Sequence, residues 1–148
     1  MDLKERLMEE LKQAMRSQDT RRRDTIRMVR AAIKNAEIEM QREADDAKVV
    51  ELLAREVRMR EESLLFFRQG KRDDLIAKAE AEIAILQDYM PRQLDEAEIR
   101  DAVQSIVDEL GASDMRDLGA VMQRAMSELK GRADGRTVNQ IAREILST

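Results

Sequence analysis

The chain has no cysteine, no histidine and no tryptophan, one proline, and three aromatic residues in all: Phe66, Phe67 and Tyr89. Each absence removes a class of chemistry. Without thiols there is no disulfide framework and no thiolate nucleophile, and without thiols or imidazoles the ordinary zinc sites lack their ligands. Imidazole acid–base catalysis falls with them, as does any ferritin-like centre built on Glu-x-x-His. Three aromatics cannot form a stacking platform for single-stranded nucleic acid. No run approaches the ~20 apolar residues that a membrane-spanning helix needs. Met1-Asp2-Leu3-Lys4-Glu5-Arg6 enters an amphipathic pattern with no apolar secretory segment before it. The expectation drawn from this is a cytoplasmic protein with no membrane partner.

What remains is charge and aliphatic side chains. Of 148 residues, 39% are charged, and the apolar ones are mostly Leu, Ile, Val and Ala with ten Met. Strands favour β-branched and aromatic residues, so this balance leans to helix. The net charge of −4 argues against an all-over polyanion binder but hides local asymmetry. Residues 16–34 carry seven basic and two acidic side chains; residues 92–115 carry two basic and seven acidic.

Apolar residues recur at steps of three and four along nearly the whole chain, which predicts an all-α protein. A first helix opens at Asp2, with Glu5 three residues on, and its stripe is Leu3, Leu7, Leu11 and Met15. A second runs from about Thr20 to Met40 on Ile26, Val29, Ile33, Ala36 and Met40. A third begins near Asp45-Asp46, carries Val49, Leu53, Val57, Leu64 and Phe67, and is closed by Gly70. The fourth starts at Asp73-Asp74 and buries Ile76, Ala79, Ile83, Leu86 and Met90. Pro91 stops it, having no backbone N–H and disfavouring helix in the residue before it. Beyond lie three shorter helices: one capped by Asp95 and Glu98 and closed by Gly111, one capped by Ser113 and closed by Gly131, and one starting at Asp134-Gly135. The expected architecture is an N-terminal four-helix bundle, residues 1–91, and a small C-terminal three-helix domain, residues 92–148. The second should be marginal in isolation.

Three constellations carry candidate chemistry. In Lys130-Gly131-Arg132-Ala133-Asp134-Gly135-Arg136, two glycines permit unusual backbone and close approach, and the next helix offers unpaired N–H groups at its start. Lys130, Arg132 and Arg136 surround that end, with Asn139 one turn further. This is a phosphate cradle or a plain helix connection capped by Asp134 with solvated cations. It is not a nucleotide P-loop, which ends in Lys-Ser/Thr and follows a strand. On the second helix, Arg23, Arg27, Arg30 and Lys34 cluster on one strip, displaced by roughly 120° from the core stripe. Such a row follows a phosphate backbone or pairs with acids on neighbouring helices. The acid pairs Glu9-Glu10, Asp45-Asp46, Glu61-Glu62 and Asp73-Asp74 read as helix starts and solvated faces, not as a metal site. No serine sits in a strained Gly-rich elbow, and no catalytic residues or cofactor are assigned.

The block Leu118-Gly119-Ala120-Val121-Met122-Gln123-Arg124, continuing through Leu129-Lys130-Gly131-Arg132-Ala133-Asp134-Gly135-Arg136-Thr137-Val138-Asn139, resembles the C-terminal signature of the YqeY-like family. Further matches are Ile26-Arg27-Met28-Val29, the Ser63–Phe67 segment, Arg72-Asp73-Asp74-Leu75 and Tyr89-Met90-Pro91-Arg92-Gln93-Leu94. Nearly the full chain is covered. That family is similar to the tail of the B subunit of the tRNA-dependent Asp/Glu amidotransferase. The resemblance implies an N-terminal helical bundle with a smaller helical domain, and a tRNA-binding or accessory role. It implies the family label of carbon–nitrogen ligase with glutamine as amido-nitrogen donor only as an inheritance from the larger complex. Carried over by position, Lys130, Gly131, Asp134 and Asn139 match the tail's tRNA-facing or turn-shaping block. Expected partners are therefore tRNA and a translation-related or amidotransferase protein. The alternative is a protein–protein adaptor without RNA binding, docking through the acidic face of residues 92–115 or through Met8, Met28 and Met59.

Overall fold

The computed structural model describes all residues from Met1 to Thr148 and is all-helical, with seven α-helices and one short 3-10 turn. In order these are α1 (Leu3–Arg16), α2 (Thr20–Met40), α3 (Asp46–Gln69), α4 (Asp73–Gln87), α5 (Glu96–Leu110), the 3-10 turn Met115–Asp117, α6 (Leu118–Leu129) and α7 (Gly135–Leu146). They fall into two compact units, Met1–Met90 and Pro91–Thr148. No helix is long and apolar enough to cross a membrane.

The first unit packs α1–α4 around Leu7, Ile26, Val29, Val49, Leu53 and Leu86, each almost fully withdrawn from water. Burying one such side chain is worth about 1.5–3 kcal/mol. Two faces are rotated from the sequence expectation. In α1 the core position after Leu11 is Ala14, and Met15 is 51% exposed. In α4 the buried set is Ala79, Ile85 and Leu86; Ile76 and Ile83 are only half-buried. The fourth helix also ends at Gln87, before the proline. Asp88, Tyr89 and Met90 then turn so that Tyr89 is buried. Its hydroxyl accepts from Arg22 Nη1 at 2.8 Å and donates to Glu10 Oε1 at 3.1 Å. The guanidinium of Arg6 lies 4.9 Å from the ring centroid. Burial pushes the Tyr89 phenol up, against the pull of Arg22.

Helix ends are set by caps. Asp2, Asp19, Asp45 and Asp95 each accept a backbone N–H three residues on. The sixth helix departs from expectation at its start. Asp114, not Ser113, caps this region, and it caps the 3-10 turn by accepting from Arg116 N at 2.9 Å, while the Asp117 carboxylate takes the Ser113 N–H. Gly70 is not the left-handed residue after α3. It has φ −83°, and Lys71 takes φ 54° instead. Lys71 N–H bonds Arg68 C=O and Arg72 N–H bonds Phe67 C=O, which satisfies the last carbonyls of the helix. Gln41 plays the same part after α2, with φ 55°. A side chain in that region costs strain that glycine does not feel. Gln41→Gly should accordingly stabilise the first unit by about 0.5–1 kcal/mol, read as a higher midpoint in urea at unchanged slope.

The second unit packs α5–α7 around Val103, Ile106, Val121, Ala125, Val138, Ile141 and Ala142. Asp95 and Glu98 form a full capping box at the start of α5.

Candidate nucleic-acid interface

α6 gives way to α7 through a tight turn. Lys130 has φ/ψ of −55°/129°, Gly131 has φ 82°, and Arg132 N–H donates to Leu129 C=O at 2.9 Å. This is type II geometry, whose third position needs a positive φ and so a glycine. The other glycine of the loop has no such duty. Gly135 is the first residue of α7, and a Cβ there would meet Met126 Cε at an ordinary 3.6 Å.

The turn is braced by the segment just before α5, whose sequence carries no candidate chemistry. Leu94 N–H donates to Arg132 C=O at 2.8 Å, and Gln93 Nε2 donates to Gly131 C=O at 2.8 Å and to Pro91 C=O at 2.9 Å. Leu129 is buried beneath it. The carbonyls of Leu129, Gly131 and Arg132 are thus satisfied within the chain. The only sequence trace of this brace is the family-matching run that ends in Gln93-Leu94.

Its cations differ in how they are held. Lys130 is exposed and makes no ion pair. Arg132 is exposed, and its Nη2 donates to the backbone carbonyl of Glu128 at 3.1 Å, an oxygen that steers the guanidinium without neutralising it. Arg136, exposed on the first turn of α7, is engaged within the chain, as is Asp134. Asp134 precedes α7 but makes no side-chain capping bond, so its carboxylate does not occupy the first amides of that helix. Asn139 is half-buried; its Oδ1 accepts from Arg143 Nε at 2.7 Å, and its amide N–H₂ remains for another acceptor.

At the N-terminal end of α5, Arg92 forms a bidentate pair with Glu98, at 3.0 and 2.7 Å. This hydrogen bond, with the backbone bond of the capping box, draws the Glu98 carboxyl down from 4.5 to about 2. A carboxyl lowered on folding stabilises above its ordinary value, and that support is lost as pH falls through about 2. Acid unfolding of the second unit should therefore steepen between pH 4.5 and about 2. Glu98→Gln should flatten that stretch of a circular-dichroism acid titration.

The second strip lies on α2, in the other unit. Arg23 pairs with its neighbour Asp24 at 2.9 Å. Arg27 and Lys34 are exposed and Arg30 half-buried, and none of the three makes an ion pair. By contrast Arg22, Arg60, Arg100 and Arg124 each hold carboxylates. The acid pairs serve locally: Asp45 caps α3, Asp46 accepts Leu3 N–H at 2.9 Å, Glu9 pairs with Lys12 at 3.6 Å and Asp74 with Arg72 at 3.1 Å. No three acids converge as metal ligands.

A model of the family described as Yqey-like protein matches residues 4–146. Curated relatives share the name altered inheritance of mitochondria protein 41, mitochondrial. The one from Pyrenophora tritici-repentis is 34% identical over 144 residues, 95% of this chain and 79% of that protein. The one from Lachancea thermotolerans is 34% identical over 110 residues, covering 72% of this chain and 59% of that protein. For Saccharomyces cerevisiae strain YJM789 the figures are 35% over 82 residues, 55% and 44%, so the match spans less than half of that relative. These names correct the cytoplasmic expectation, since the relatives are mitochondrial proteins. An amphipathic start with no apolar secretory segment does not by itself assign a compartment. With the family model spanning nearly every residue, the seven helices and the braced turn between the last two are those of a member of the Yqey-like protein family.

Proposed function

We propose that the Lys130–Arg136 turn is a tRNA contact and that the protein is a tRNA-binding accessory: a four-helix bundle bearing a small three-helix domain that carries the turn. The observation that supports this most is the state of Lys130 and Arg132. Both are exposed and outside any ion pair, on a backbone fixed by Gly131, Gln93 and Leu94. A backbone already fixed loses little further freedom when a phosphate arrives. The start of α7, where Asp134 makes no side-chain cap, adds a partial positive charge beside them. Recognition is of backbone and shape, because the chain's three aromatics cannot stack a run of bases.

On this reading the likeness to the amidotransferase tail concerns binding, and the carbon–nitrogen ligase label belongs to a larger assembly. The purified chain is expected to release no ammonia from glutamine.

The test is a gel-shift titration of total tRNA, with double-stranded RNA and DNA as comparators, against the wild type and Lys130→Ala/Arg132→Ala/Arg136→Ala. The mitochondrial names of the relatives make organellar tRNA the first pool to try. The triple variant should bind every tRNA species more weakly. Undiminished binding removes the turn from consideration.

A further inference from the structure

We propose that the outer seam of the α1–α2 hairpin docks an amphipathic helix of a partner protein, one bearing carboxylates along one flank and basic groups along the other. The proposal is independent of the tRNA reading and concerns the other unit.

The seam is defined at both ends. Arg27 Nη2 sits 4.0 Å from Met15 Sδ at one end, and Lys4 pairs with Glu37 at 2.6 Å at the other. Between them lies a groove of about 470 Å³, walled by Glu5 and Glu9 from α1 and by Arg30 and Lys34 from α2, with Met8 and Ile33 between the walls. Met8 and Met15 are one heptad apart on α1, and Ile38, 67% exposed, lies one turn beyond Lys34 on α2. The seam thus offers unbranched, adaptable thioethers where a rigid core would offer fixed shapes.

Charge selects the occupant. Arg27, Arg30 and Lys34 follow one edge of α2 at steps of three and four; Arg27 lies near enough to Asp24 for the two charges to interact, whereas Arg30 and Lys34 have no acidic partner in the chain. Left uncompensated, they call for carboxylates at helical spacing on whatever lies beside them. A phosphate backbone answers that need poorly here, because Glu5 and Glu9 on the facing wall repel it and the strip between is apolar. An amphipathic helix answers both walls, with acids toward α2, bases toward α1, and a Leu or Met seam over Met8. Successive heptads on such a helix rise about 10 Å, which matches the spacing of Met8 and Met15.

The experiment uses the full chain with ¹³C-methyl methionine. Its probe is a synthetic helical peptide of about three heptads with a Leu seam, Glu along one flank and Lys along the other; the control peptide has Lys on both flanks. The mixed peptide should move the methyl signals of Met8 and Met15 and leave those of Met122 and Met126 in place. Arg27→Glu/Arg30→Glu/Lys34→Glu should weaken it by at least about tenfold and favour the all-Lys control. Should that triple variant misfold, Lys34→Ala still reads the same contact, with a loss of about threefold. The proposal is overturned by Met8 and Met15 signals that stay put at about 1 mM peptide, by a charge-reversed variant that binds equally well, or by tRNA shifting those two methyls when the peptide does not.

Discussion

Replacing Arg60 by leucine is expected to destabilise the N-terminal unit by about 3–5 kcal/mol, the cost of leaving buried charges without their partner. Arg60 lies in α3 with its side chain 9% exposed. Its Nε donates to Glu82 Oε2 of α4 at 2.7 Å; Nη1 donates to Glu56 Oε1 at 3.3 Å and to the Glu56 carbonyl at 3.0 Å. Met28 Sδ of α2 accepts from Nη2 at 3.6 Å, so one guanidinium ties three helices together. Leucine fills much of the space but strands Glu56 and Glu82, whose side chains are only 11% and 14% exposed. A domain with about 5–15 kcal/mol of total stability gives up a large part of it through that one change. Urea denaturation followed by circular dichroism reads the loss. Changing Glu56, Arg60 and Glu82 together to Leu, Met and Leu should recover most of it, because an apolar set of similar volume has no charge to strand. A loss below about 1 kcal/mol for Arg60→Leu would mean that water reaches these carboxylates as soon as the arginine is gone.

Half of that network is legible in the sequence. Glu56 and Arg60 stand four residues apart on one helix, the ordinary spacing for a helical pair. Glu82 lies 22 residues beyond Arg60, and nothing local announces that α4 will place it there. The Tyr89 cluster is hidden for the same reason, since Arg22 and Glu10 come from 67 and 79 residues away. Helices and most of their boundaries follow from short-range rules: a 3.6-residue period, Asp caps, and the lone proline. The rules fail where two residues compete for one duty. Met15 and Ala14 both continue the α1 stripe, and packing against neighbouring helices gave the core to the smaller. α3 does end at Gly70 as its position predicts, but the left-handed residue that closes the turn is Lys71. At the candidate site the cations and Gly131 are visible in the sequence, because charge and a type II glycine are local properties. The brace from Gln93 and Leu94 is not, because those contacts cross 38 residues.

The same local charges set the second large effect. Each cation of the turn that meets a phosphate releases condensed counterions, and its removal should flatten the plot of log affinity against log salt by about one unit. Lys130→Ala/Arg132→Ala should therefore lower the slope by about two, and the triple variant with Arg136→Ala by an amount between about two and three. For the full set, affinity should drop by at most roughly 40-fold between about 50 and 200 mM salt, and much of that sensitivity should disappear with the three side chains. Lys130 and Arg132 bring charges bound to no carboxylate, so their contributions should be near the full value. Arg136 starts from an interaction within the chain that must be given up or shared. Its single substitution should change the slope by less than either of the others, and the shortfall measures how firmly the folded chain holds it. Three equal contributions would place the phosphate where Arg136 reaches it without leaving its present partner. A slope insensitive to all three substitutions would move the contact off this turn altogether, however tightly the protein binds.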